Sequence, residues 1–173
     1  PVAENYDIVF AMLESQLPSA GIVIRRVFTL PRGLFAAPAL LDRFGDPGNL
    51  ADLSRLPLLA GPGDTAWAVT PPGGKTEHLA VDKARLVSSN AHVRLQAALA
   101  GHGVLRVTAS FARAAVDAGS LRCVLPEHIC EPLSVHALLP ARQFIPAKVR
   151  SFLDALEMDA HAPTALESEP LPG

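Results

Sequence analysis

"RLVSSNAHVRLQAALAGHGV", residues 85–104, holds three kinds of signal in one run. An apolar, strand-forming segment leads into three small polar residues, Ser88, Ser89 and Asn90. A helical repeat follows, with Leu95, Ala98 and Leu99 on its better-buried face and Val93 and Ala97 beside them. Gly101-His102-Gly103 then ends the helix, one of the glycines supplying a left-handed cap, and the apolar strand "VLRVT" (104–108) begins. The order strand, polar corner, helix, strand belongs to an α/β chain with a largely parallel sheet. In such sheets ligands sit at the carboxyl ends of strands, near helix N-termini. The corner at 88–90 either holds a ligand or caps the helix, and the stretch alone leaves both open.

Outward from this run, the chain alternates short elements. Toward the N-terminus, "YDIVFAML" (6–13) reads as a buried strand, and "LPSAG" as a loop. "IVIRRVFTL" (22–30) is a strand broken by Pro31 and continued by "GLFAA" (33–37). Pro38 opens a short helix, "PALLDRF", that stops at Gly45, and Asn49 caps a helical turn, "LADLSRL". "LPLLAG" (56–61) and "AWAVT" (66–70) are short strands, "PPGG" (71–74) is a turn between strands, and 77–89 holds a strand or two. On the C-terminal side, "SFARAAVDAG" is a helix with Ser110 as N-cap and Gly119 as stop. "LRCVLP" (121–126) and "LSVHALLP" (133–140) are strands separated by "EHICEP". The last helix, 146–157, starts at Pro146 and aligns Val149, Phe152, Leu153 and Leu156 in one stripe. Residues 159–173, rich in Pro, Ala, Glu and Ser, read as a disordered tail.

Composition sets bounds. The 173 residues are 49% hydrophobic and 18% charged, with a formal net charge of −2 and a mean hydropathy of +0.26. A core can be built, and no basic run offers a nucleic-acid surface. The two cysteines, Cys123 and Cys130, do not make a disulfide scaffold and suit a reducing cytoplasm. No apolar run reaches membrane-spanning length and the opening is not a signal peptide. A buried strand so near residue 1 is what a piece cut from a longer chain would show.

The chemistry-bearing residues form no catalytic set. "GGKT" around Lys75 lacks the glycine of a phosphate-binding loop, since Val69 stands in its place. The six histidines show neither zinc-like spacing nor H-E-x-x-H. His92 and His102 bracket the helix as surface residues, and His136 sits in an apolar strand at the core or a cleft edge. Cys123 reads as a small core residue, and Cys130 as a loop thiol with nothing beside it to activate it. Arg25 and Arg26 point to opposite faces of their strand, and Trp67 reads as core. No G-x-S-x-G elbow occurs. A helix N-terminus carries unpaired N–H groups and partial positive charge, so hydroxyl and amide side chains at 88–90 add donors for an anion.

The order of segments resembles the effector-binding domain of LysR-type transcriptional regulators. The segments that carry the resemblance are "YDIVFAM", "GLFAAPALLDRFGDPGNLADLSRLPLLA", "AWAVT", "RLVSSNAHVRLQAALAGHGV", "AVDAGSLRCVLP" and "LLPARQFIPAKVRSFLDALE", spanning about residues 6–157. It implies a two-lobed α/β fold like that of type 2 periplasmic binding proteins, with the first lobe incomplete. Residues 1–56 with 132–158 would form lobe I and 57–131 lobe II. A small, anionic effector would lie in the inter-lobe cleft, touching Ser88, Ser89, Asn90 and Thr108 from lobe II and Ala11 and Met12 from lobe I. Relatives often carry proline at the Thr108 position. The resemblance implies no catalysis, metal or cofactor. It implies homo-oligomers in the full-length protein, a cytoplasmic location, no membrane, and DNA contact only through a winged helix-turn-helix that these residues do not include. A stand-alone small-solute-binding protein of the same fold is the alternative.

Overall fold

The computed structural model describes residues 8–12, 22–140 and 147–161. In chain order they form strands β1 (Val9–Met12) and β2 (Ile22–Ala36), helices α1 (Pro38–Phe44) and α2 (Leu50–Leu53), and strands β3 (Leu58–Ala60), β4 (Ala66–Thr70), β5 (Glu77–Ala80) and β6 (Leu86–Val87). Then come helix α3 (Ala91–Leu99), strand β7 (Val104–Thr108), helix α4 (Ala109–Asp117), strands β8 (Arg122–Val124) and β9 (Ile129–Pro140), and helix α5 (Ala147–His161). They divide into two compact units, cut between Leu30 and Pro31 and between Glu131 and Pro132. The chain crosses between them inside β2 and inside β9.

The second unit, residues 31–131, is an alternation pattern made solid. Successive strand side chains point to opposite faces. One face collects Leu34, Ala36, Leu58, Ala60, Trp67, Val69 and Val104, covered by Leu40 and Leu41 of α1 and Leu50 and Leu53 of α2. The other collects Phe35, Leu59, Leu105 and Val107 against Ala98 of α3 and Ala112 and Val116 of α4. Trp67 and Phe35 have no exposed surface, and burying a side chain of this size contributes about 1.5–3 kcal/mol. Residues 38–56 therefore pack in this unit, whose compact part starts at Pro31, whereas the resemblance drew the crossing near residue 56.

The sheet here is mixed, and the expectation of a largely parallel sheet is corrected. β3 lies parallel to β6 and β7, but β7 and β8 run antiparallel to β2 and β4 antiparallel to β5 and β9. Strands that run parallel in one sheet need a long crossover, and α3 supplies one from β6 to β7, which lie on either side of β3. The tight 71–74 turn leaves β4 and β5 only the antiparallel choice. The sheet path ends in β5 on one side and β6 on the other.

Gly103 and Gly33 are among the glycines that sit at a close approach. A Cβ at Gly103 would lie 2.7 Å from the Pro57 carbonyl oxygen, and one at Gly33 would lie 2.9 Å from the Phe35 ring. Of the two glycines after α3, Gly101 takes the left-handed conformation (φ +71°), so the cap is Gly101 and the tight fit is Gly103.

In the first unit, β1 pairs antiparallel with β9, Phe10 opposite Ala137 and Met12 opposite Val135. Val149 and Leu153 of α5 pack onto Val27, Ala137 and Leu139. Phe152, expected in the same stripe, is instead 49% exposed. It flanks the stripe and meets the Phe10 ring edge-on, with centroids 6.3 Å apart. Arg25 pairs with Asp154 at 3.3 Å, and Arg26 is exposed.

Several boundaries move. β2 runs through Pro31, which was expected to break it, and β9 starts at Ile129 and runs through Pro132, absorbing part of "EHICEP". Cys130 is accordingly a strand residue, 4% exposed, where a loop thiol was expected. Thr108 rather than Ser110 is the N-cap of α4. Val93 is 45% exposed, because α3 turns mainly Ala98 inward. Residues 159–161 continue α5. The expected loop at 17–21, Pro146 and the tail from 162 lie outside the described residues.

Candidate functional site

The candidate residues of the second unit gather at one edge. Because β3, β6 and β7 are parallel, their carboxyl ends fall together, at Gly61, Ser88 and Thr108. Ser88 N–H extends the ladder by donating to the Ala60 carbonyl at 3.0 Å. Helix α3 starts from the Ser88 corner and α4 from Thr108. The ring of His92 in the first turn of α3 meets that of Phe111 in the first turn of α4 edge-on, with centroids 4.9 Å apart. That contact sets the two helix N-termini side by side.

The corner is part cap and part open. Asn90 Oδ1 accepts from His92 N–H at 2.9 Å, and Ser88 Oγ accepts from Asn90 N–H at 3.2 Å. Arg94 Nη1 donates to the Ser88 carbonyl, which fixes the corner from the helix side. Ser89 is exposed and takes no part in this network. At the second helix Thr108 makes no side-chain cap bond; its Oγ1 accepts from Ser110 Oγ at 3.3 Å. Neither helix carries an acidic residue in its first turn. Two positive helix ends without internal carboxylates make the edge electropositive.

Behind the edge lies an ionic cluster that the sequence reading missed. Arg106 Nη2 donates to Asp64 Oδ1 at 2.9 Å, with side-chain exposures of 5% and 12%. Asp64 Oδ2 also accepts from Gly61 N–H at 2.9 Å and from the Trp67 indole N–H at 3.2 Å. The guanidinium lies 5.4 Å from the Trp67 ring centroid. Arg32, opposite Thr108 in the β2–β7 register, donates from Nε to the Glu131 carbonyl at 2.6 Å. A single arginine inside the apolar strand "VLRVT" was the signal that marked Arg106. Nothing local marked Arg32, since the strand around it is exposed on one side.

The remaining candidates fall elsewhere. Ala11 and Met12 lie in β1 of the first unit, opposite His136 and Val135 of β9. His136 is half-buried in that strand, and Trp67 is core. Burial pushes the Cys130 thiol up to about 11 from 9.0, against the Arg106 and Arg32 charges, with Cys123 adding to the rise. Burial also raises the half-buried Cys123. Among the described residues no three His, Cys, Asp or Glu side chains converge to hold a metal ion, and no helix is long and apolar enough to cross a membrane.

The described residues thus make a two-unit α/β chain with two helix N-termini at one strand-end edge, and comparison with known proteins gives its family. The model of the LysR substrate binding domain matches residues 1–160, and the chain belongs to that family. It is 25% identical over 158 residues to the HTH-type transcriptional activator AaeR of Escherichia coli K12, covering 90% of this chain and 50% of that protein. Among solved structures it is similar to the full-length virulence activator AphB of Vibrio cholerae (TM-score 0.70, 24% identity, 90% of this chain and 52% of that one). It is also similar to the regulatory domain of CrgA, a LysR-type regulator of Neisseria meningitidis (TM-score 0.66, 20% identity, 89% and 75%). The fold is thus the two-lobed type 2 periplasmic-binding-protein-like fold that the segment order implied. The chain spans about half the length of the curated relatives it matches.

Proposed function

We propose that this chain is the ligand-sensing part of a LysR-type transcription regulator and that it binds a small anionic effector at the strand-end edge of its second unit. The observation that carries the reading is the meeting of α3 and α4 through His92 and Phe111, which presents two positive helix ends beside Ser89 and Thr108. In this reading Ser88 and Asn90 hold the corner in shape, and Ser89 and Thr108 offer hydroxyls to the ligand. The two units correspond to the two lobes. An effector that binds one arrangement of the lobes better than another shifts their populations, and no covalent step is needed. The whole regulator acts in the cytoplasm as a homo-oligomer and reaches DNA through an N-terminal winged helix-turn-helix. Its named relatives are transcription regulators rather than enzymes.

The test is thermal unfolding of the chain against a panel of small aliphatic and aromatic carboxylates and phosphates. A binder held at about 100-fold its Kd adds ~2.7 kcal/mol, which at this size raises Tm by several degrees, at roughly 2–4 °C per kcal/mol. Ser89→Ala is the diagnostic variant, because it leaves the cap intact. It should keep the Tm of the free chain and lose most of the ligand-induced rise. A rise that Ser89→Ala leaves whole would move the site, and a panel without any rise would remove the anionic reading.

A further inference from the structure

The two chain crossings share a chemical peculiarity. The first residue past one boundary is Pro31, in β2, and the first past the other is Pro132, in β9. Proline has no N–H, so each crossing strand lacks a ladder donor at the crossing itself. Prolines inside sheets sit at weak points of the ladder, and here both through-strands have one.

Immediately inside these points, within the second unit, a side chain of β2 adds a tie to the β9 backbone, its neighbour in the sheet. Arg32 follows Pro31, and Glu131 precedes Pro132. Arg32 Nε donates to the Glu131 carbonyl at 2.6 Å, and its Nη2 lies 3.9 Å from the Glu131 carboxylate. The Arg32 side chain is only 9% exposed, against 64% for Glu131. A charge-assisted hydrogen bond in so sheltered a place is stronger and more directional than a surface ion pair. The important contact is with the carbonyl, part of the β9 backbone, rather than with the exposed carboxylate. Arg32 also stands opposite Thr108 in the β2–β7 register, so both side chains lie on one face of the sheet. Thr108 is the N-cap of α4.

We propose that Arg32 is a clasp that sets how readily the two proline crossings open, and that it ties this opening to the Thr108 corner. A ligand contacting Thr108 bears on its cross-strand neighbour Arg32, and Arg32 holds the β9 backbone at the crossing. The clasp owes its purpose to the sensing role proposed above, yet its test needs no ligand, so the two can fail separately.

The experiment is amide hydrogen exchange, resolved by residue, on the 173-residue chain and its variants Arg32→Lys, Arg32→Met and Glu131→Gln. Arg32→Lys keeps the charge and loses the Nε donor. Glu131→Gln keeps the carbonyl and loses the carboxylate. Exchange at Leu30, Gly33, Glu131 and Leu133 should become roughly tenfold faster or more in both Arg32 variants, the factor corresponding to a hydrogen bond from a charged group. It should stay near wild type in Glu131→Gln, and the amides of Leu59, Leu105 and Ala112 should not change in any of them. Crossing amides that exchange in Arg32→Lys as in wild type would overturn the proposal. So would a uniform acceleration that includes Leu59 and Leu105, which would make Arg32 an ordinary core residue. Should Arg32→Met fail to fold, Arg32→Lys alone decides.

Discussion

Arg106 and Asp64 form a buried ion pair, Nη2 to Oδ1 at 2.9 Å, and the other oxygen of the same carboxylate holds the indole N–H of Trp67 and the backbone N–H of Gly61. One carboxylate thus neutralises the charge in β7, satisfies the unit's largest core side chain and fixes the loop after β3. Removing one member of a buried pair costs about 3–5 kcal/mol, while replacing both by apolar groups of similar volume is often neutral. Asp64→Ala should therefore lower the unfolding free energy by an amount in that range, as read from urea denaturation followed by the emission of Trp67, the single tryptophan. The double variant Asp64→Leu/Arg106→Met should recover most of it. A loss below about 1 kcal/mol in Asp64→Ala would mean that the pair is decoration.

Gly103→Ala tests a close approach. The new methyl would meet the Pro57 carbonyl oxygen at 2.7 Å, and that oxygen already accepts from Val104 N–H at 2.8 Å. Neither backbone can retreat without disturbing the β3–β7 ladder, so the substitution should cost about 1–3 kcal/mol, as overpacking does. Chemical denaturation reads the loss. Gly48→Ala, at a φ that like that of Gly103 is not left-handed, would place its methyl 3.8 Å from the Asp52 carboxylate, an ordinary contact, and is the matched control.

Cys130 gives a dependence on pH. Its neutral thiol is favoured by burial in the fold, with a pKa pushed from 9.0 up to about 11. A raised thiol pKa stabilises the fold fully below about pH 9, and the benefit is lost as pH climbs toward 11. Over that window the difference in stability between wild type and Cys130→Val should shift against wild type by about 2 kcal/mol. At pH 8 iodoacetamide should label half-buried Cys123 well before Cys130. Equal labelling rates in the folded chain would contradict the burial of Cys130.

Much of this fold was legible because local signals and tertiary demands agreed. Asn49 caps α2, its Oδ1 accepting from Asp52 N–H at 2.9 Å. Gly45, Gly101 and Gly119 end their helices at positive φ, and Trp67 fills the core. The failures share one physical cause. Pro31 was read as a break and Pro132 fell in the segment read as separating two strands, but proline fixes φ near the extended range and stops only hydrogen bonding from its own nitrogen, so a strand with other supports runs through it. Strand direction was misjudged because a list of alternating elements does not say which neighbours pair. At the candidate site the polar corner was visible. The roles within it were not, since whether Ser88 or Asn90 caps the helix depends on where α3 begins. Arg32 and Asp64 became notable only through partners 99 and 42 residues away.

The sheet path ends at β5 and β6, and the two ends are built differently. β6 is two residues long, and β5, "EHLA", exposes Glu77, His78 and Ala80 while burying Leu79. A short strand offers too few free donors and acceptors to template another chain, and a charged one repels its own copy. Stacking of one molecule's ladder onto the next is therefore disfavoured at β5 and at β6. Copies of the chain that meet in concentrated solution thus find at these two rims no template for edge-to-edge pairing.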